Sequence, residues 1–168
     1  MDVRLLARIA CSIMFVALPC SVIAAPLGGS VDQFATRFNA QAKKLDVLDN
    51  VAVAKRSCQS GVKQACTYAV ANGLSIVASS SEDKSTLNSL TLIMTSSESD
   101  ATLAYVFTMG VIMSIYAPDA SASERGVILK QLGAGLKGST GGTAELHGIS
   151  FALKGLEGMG LTTVITRE

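Results

Sequence analysis

The chain has no tryptophan, a single histidine and only 5% aromatic residues. That scarcity removes the side chains on which base stacking and most general acid–base schemes depend. Charge is scarce as well: Asp, Glu, Lys and Arg make up 16% of the 168 residues and leave a formal net charge of +1. A basic nucleic-acid footprint is excluded on those numbers. With 49% hydrophobic residues and a mean hydropathy of +0.42, the chain is too apolar to stay disordered. Its length suits one domain around one core.

The first segment reads as an export signal. Arg4 and Arg8 make a short basic start, Ile9–Leu18 (IACSIMFVAL) is an apolar run of ten, and Pro19 breaks it. Val22 and Ala24 then stand at the −3 and −1 positions for cleavage after Ala24. A membrane anchor would need about 20 apolar residues. A lipoprotein would need a small residue where Pro19 precedes Cys20. The expectation is therefore a secretory signal over 1–24 and a single α+β domain over 25–168, periplasmic or extracellular, with no stable membrane span. Cleavage removes Asp2, Arg4 and Arg8 and leaves basic and acidic groups equal in number. The pairs Lys43-Lys44 and Lys55-Arg56 then read as solvated faces, and the first also suits a helix C-terminus.

Cys11 and Cys20 leave with the signal, so Cys58 and Cys66 remain. An even pair in an exported chain reads as one disulfide. On a helix, eight residues would part the Cα atoms by about 12 Å, beyond the roughly 7 Å a disulfide tolerates. A hairpin turning near Gly61 and Val62 instead sets them opposite each other on adjacent antiparallel strands. Catalytic pairs use a C-x-x-C spacing at a helix start, which this is not.

Periodicity predicts the remaining elements. Ser30-Val31-Asp32-Gln33 is a capping-box pattern, and Val31, Phe34, Phe38, Ala42 and Leu45 follow at helical spacing, giving a helix over 31–44. Strands are expected over 50–58, 64–71, 74–79 and 88–95, with Asn72-Gly73 as a hairpin turn. Ser97-Glu98-Ser99-Asp100 opens a second helix, apolar all round, that runs to about Tyr116 before Pro118. Ser121-Ala122-Ser123-Glu124 opens a third, to about Lys137, weakened by Gly126, Gly133 and Gly135. Strands over 143–154 and 161–167 finish the chain, with Leu153 opposite Leu161, Phe151 opposite Thr163 and Ile149 opposite Ile165. The order α-β-β-β-β-α-α-β-β points to an antiparallel sheet covered on one face by helices.

Few motifs carry chemistry. Gly133–Gly138 matches G-x-G-x-x-G, but a helix precedes it and a strand follows, the reverse of what a dinucleotide requires. His147 is the one imidazole, with Glu145 two residues away, and the expected register places it opposite Arg167. Glu145, His147 and Arg167 form the candidate polar site for a hydrolase or metal reading, set against an ordinary edge histidine. Met94, Met109 and Met113, with Met159, are the candidate apolar surface for a ligand or partner. No cofactor or metal is implied, and no catalytic residue is singled out.

Small size, export and poverty of catalytic groups favour a non-catalytic binding protein that engages another exported protein, such as an inhibitor or immunity factor. The alternative is a carrier of a small apolar ligand or lipid. Intact-mass analysis of protein recovered from the cell envelope should find a chain starting at Ala25 with Cys58 and Cys66 refusing alkylation. Retention of Met1 with both thiols alkylated would refute the export reading.

Overall fold

A computed structural model describes residues 25–70, 73–96, 98–137, 141–156 and 160–168. The proposed signal over 1–24 lies outside them, as do Asn72 of the expected hairpin turn, Ser97 of the second capping box and Met159. The protein is an α+β fold with a seven-stranded antiparallel sheet. Helices α1 (Phe34–Lys44) and α2 (Leu48–Val51) precede strands β1 (Ala54–Ser60), β2 (Gln64–Ala69), β3 (Leu74–Ser80) and β4 (Leu87–Met94). Helices α3 (Ser99–Tyr116) and α4 (Ala122–Lys137) lead to β5 (Gly142–Leu146), β6 (Ile149–Leu156) and β7 (Gly160–Arg167). The strand order is β1-β2-β3-β4-β7-β6-β5.

Two meanders thus meet at one seam. β4 pairs with β7 through Leu90–Ile165, Leu92–Thr163 and Met94–Leu161. On one face every second residue is buried: Leu74, Ile76 and Ala78 in β3, Leu90 and Leu92 in β4, Ile149, Phe151 and Leu153 in β6. The helices pack on that face, and their buried residues join the strands in one core. The opposite face is uncharged across its centre, with Val77, Thr91, Val164 and Ala152 side by side.

The edges differ. All seven residues of β1 are exposed, and a register shift between Lys55 and Ser57 bulges the strand at Arg56. A bulge with adjacent cations blunts an edge against further pairing. At β5 the backbone of α4 lies close, so that a Cβ on Gly142 would stand 3.2 Å from the Leu132 carbonyl oxygen. Cys58 pairs with Cys66 in register and the two form the disulfide, with Cα atoms 4.1 Å apart. This is the cross-strand staple expected from the eight-residue spacing.

α1 buries Phe34, Phe38 and Ala42 and places Lys43 and Lys44 in its last turn. It starts three residues later than the pattern suggested. The Ser30 hydroxyl still accepts from the Gln33 amide at 3.3 Å, but the Val31 carbonyl accepts the buried Tyr68 hydroxyl at 2.6 Å and residues 31–33 remain a turn. α3 has the expected span. By length and composition it could cross a membrane, yet 56% of it is buried inside the fold, which accounts for its apolarity. The buried Tyr105 hydroxyl shares a hydrogen bond of 2.7 Å with Thr163 on β7, tying α3 to the seam.

Three expectations are corrected. The strand expected over 50–58 begins only at Ala54, and residues 48–51 are helical. Val51 and Val53 are buried as the alternation implied, but Val53 exchanges its backbone hydrogen bonds with the Asn39 side chain (2.9 and 3.0 Å) instead of with a strand. The strand expected over 143–154 is a hairpin, because His147 and Gly148 both take positive φ (50° and 75°) and turn Leu146 back onto Ile149. Consecutive left-handed residues are the mark of a tight type I′ turn. The β6–β7 register is displaced by two residues, with Phe151 opposite Ile165, Leu153 opposite Thr163 and Ile149 opposite Arg167. An even displacement preserves the faces, so the expected apolar side is the buried one.

The Tyr105–Thr163 bond allows a direct test. Tyr105→Phe leaves a buried Thr163 hydroxyl without its partner and should cost about 1–3 kcal/mol in urea unfolding. Adding Thr163→Val should recover most of that loss. Equal stability of wild type and Tyr105→Phe would show that the bond contributes nothing.

Candidate binding groove

The expected polar site does not assemble. Glu145 sits exposed on β5 opposite Ser150, and His147 is at the hairpin tip. Arg167 lies opposite Ile149 and donates to the Tyr116 carbonyl at 3.3 Å. The imidazole finds a different carboxylate: His147 Nε2 is 3.4 Å from Glu124 Oε1 at the start of α4. Glu124 has a prior structural duty. Its other oxygen accepts from the Ser121 amide and hydroxyl, both at 2.7 Å, while the Ser121 hydroxyl accepts from the Glu124 amide at 3.2 Å. This is the capping box read from the sequence. Hydrogen bonds from Ser121, and secondarily from His147, hold the Glu124 carboxyl down at about 2.

Among the described residues, the other clusters of polar groups are engaged structurally. Asp32, Cys58 and Cys66 place their ligand atoms within 4.8 Å of one another, but the two sulfurs are bonded to each other and offer no thiolate. Asp32 itself pairs with Lys55 at 2.8 Å, and that bond, with Gln64, lowers its pKa. The glycine run at 133–138 ends α4 instead of opening it, and Gly138 lies outside the described residues. Met94, Met109 and Met113 are core residues, the last two wholly buried, and of the three only Met113 underlies a hollow. A hollow of about 320 Å³ is lined by Arg56, Thr67, Val70, Gly73 and Thr95; residues 71–72 lie outside the described residues.

What the helices do form is a groove. α3 runs along its floor, the α1–α2 connection supplies Leu45 and Val47 on one wall, and α4 supplies Gly126 and Leu129 on the other. The floor is Val106, Phe107 and Gly110, with Met113 beneath, and the hollow measures about 290 Å³. Its apolar rim is open: Leu45 is 40% exposed and Val106 38%, and Leu103, one turn earlier on the same face of α3, is 51% exposed. Gly110 and Gly126 enlarge it, since a Cβ on either would meet no heavy atom within 4 Å. Glycine inside a helix costs roughly 0.5–1 kcal/mol against alanine, and here no close packing requires it.

A second hollow of about 280 Å³ shares Ser114 with the first and is lined by Arg37, Gln41 and Lys44 of α1. Arg125 of α4 reaches the same place, donating to the Ser114 hydroxyl at 2.7 Å and to the Ala117 and Pro118 carbonyls at 3.5 and 3.3 Å. Arg37 donates to the Gly28 carbonyl at 3.0 Å, with its guanidinium carbon 5.5 Å from the centre of the Tyr116 ring. Burial pushes the Tyr116 hydroxyl up to about 12, against the opposing effect of Arg37. Among the described residues, Arg37, Lys44 and Arg125 make no ion pair with a carboxylate. Among the described residues, no acidic one lines either hollow.

No protein-family model, curated protein or solved structure matches this chain. The groove was missed in sequence because α3 is apolar all round. Its one legible signal is the helical spacing that puts Leu103, Val106, Phe107, Gly110, Val111 and Ser114 on one face.

Glu124 carries a pH signature. Its folded pKa of about 2 lies below its ordinary 4.5, so its contribution to stability is complete above about pH 4.5 and is lost as pH falls towards 2. Glu124→Gln should therefore flatten the acid limb of the stability profile in that window. An unchanged profile would refute the assignment. Ser121→Ala should remove the cap and cost about 1 kcal/mol at neutral pH.

Proposed function

We propose that this protein is an exported, non-catalytic binding module that engages a segment of another protein in the groove over α3. The observation that carries the reading is the open apolar surface formed by Leu45 and Val106, with Leu103 one turn along the same face of α3, around that groove. Apolar side chains clustered on a soluble surface mark sites of association. The Cys58–Cys66 disulfide is compatible with an oxidising, exported setting. Docking falls to the groove more readily than to the β1 edge, where the bulge and the Lys55-Arg56 pair oppose strand addition.

The same openness sets the carrier reading second. Carrier sites enclose about 70–90% of a small ligand's surface. Here the rim residues themselves are about two-fifths to one-half exposed, so an alkyl chain in the groove would keep much of its surface in water. A protein segment differs, because its outward face stays with its own chain. An inhibitor or immunity factor is one role that such a module fits.

A photo-crosslinking amino acid placed at Leu103 or Val106 in the full chain tests the site in the native envelope. The expected result is a discrete protein adduct at both positions and none from a probe at Val164, on the opposite sheet face. Adducts equally strong at Val164, or none at the groove, would overturn it. Native mass spectrometry showing a co-purified lipid in place of a protein adduct would transfer the function to the carrier reading.

A further inference from the structure

The groove is apolar over one half and cationic over the other, and this asymmetry specifies what it binds. Resting on the docking reading above, we propose that its occupant is an amphipathic helix of another protein that brings apolar residues to Val106, Phe107 and Gly110 and carboxylates to the end formed by Arg37, Lys44 and Arg125. From Val106 to Ser114 the floor extends about 12 Å along α3, room for two turns of a partner helix. Apolar anchors at i, i+3 and i+4 fit that length. Gly110 and Gly126 leave space above both helices for a bulky anchor side chain.

The charge argument is one of complementarity. Three cations line two hollows that share Ser114, with no ion-paired carboxylate among the described residues, in a chain whose overall charge is close to zero. Arg37 and Arg125 are already held in place by the Gly28 carbonyl and by groups at the end of α3. Their orientation is therefore set before any ligand arrives, which lowers the entropy cost of recognising an anion. Backbone carbonyls and a hydroxyl satisfy hydrogen bonds but leave the net charge of each guanidinium unbalanced. Basic partner helices would meet like charge at that end, and like-charge contact rejects wrong partners.

The test uses the full mature chain and two synthetic helical peptides of equal length and identical leucine pattern, one flanked by Glu and the other by Lys. By fluorescence anisotropy in low salt, the Glu peptide should bind at least tenfold more tightly than its Lys isomer, and the gap should narrow in 0.5 M NaCl. Lys44→Glu, an exposed change on α1, should shrink the preference at least threefold. Arg125→Met should do the same, but its bonds to the end of α3 make Lys44→Glu the primary variant. Gly110→Leu, which fills the floor, should weaken both peptides at least tenfold, and thermal melts establish that each variant is folded.

Equal or tighter binding of the Lys peptide, still lost in Gly110→Leu, would overturn the acidic partner while leaving the docking site in place. No binding of either peptide, or binding indifferent to Gly110→Leu, would overturn both. If sodium oleate or anionic vesicles bound and neither peptide did, the occupant would be an anionic amphiphile and the proposal would fail.

Discussion

The pairing of β4 with β7 is the constraint on which the rest of this structure depends. It joins residues far apart in the chain, Leu90 with Ile165 and Thr91 with Val164, and makes one seven-stranded sheet from two meanders. Because the two strands lie side by side, α3 and α4 must pass over the sheet between them, and they land on the face where the alternation is apolar. Gly160 shows how closely the seam is made, since a Cβ there would overlap the Met94 carbonyl oxygen. The Tyr105–Thr163 hydrogen bond then fixes the height and rotation of α3 above that seam.

Fixing α3 in this way decides what each of its sides does. Met109, Ile112 and Met113 turn towards the core, while Leu103, Val106 and Gly110 turn away from it. No basic residue occupies the last turn of α3. The carbonyls there accept instead from Arg125 on α4 and Arg167 on β7, so tertiary arginines replace a local cap. Of the three cations at the end of the groove, Arg125 thus also closes the helix. The interaction that stabilises the fold also positions charge beside an apolar hollow.

Much of the fold was legible. The three long helices announced themselves through capping patterns, and the Ser121–Glu124 box survives in full. The Cys58–Cys66 spacing implied the first hairpin, because no helix could bring those atoms together. The misreadings have local causes. Val51 and Val53 alternate like strand residues, but the hydrogen bonds of Val53 belong to Asn39, fourteen positions earlier, and no local pattern reveals that. His147-Gly148 is a weaker turn signal than Asn-Gly, so one long strand was read where two antiparallel ones lie.

The candidate site was less legible for a physical reason. His147, Glu145 and Arg167 were linked by a register two residues out, and their true neighbours are Glu124, Ser150 and the Tyr116 carbonyl. A helix apolar on every side gives no clue to which side is covered. Periodicity and spacing, which are local, determined by themselves the α+β class, the three long helices, the disulfide and the shortage of catalytic groups. Only the tertiary structure decided the open face of α3 and the clustering of Arg37, Lys44 and Arg125, because these depend on long-range packing that no short window of residues contains.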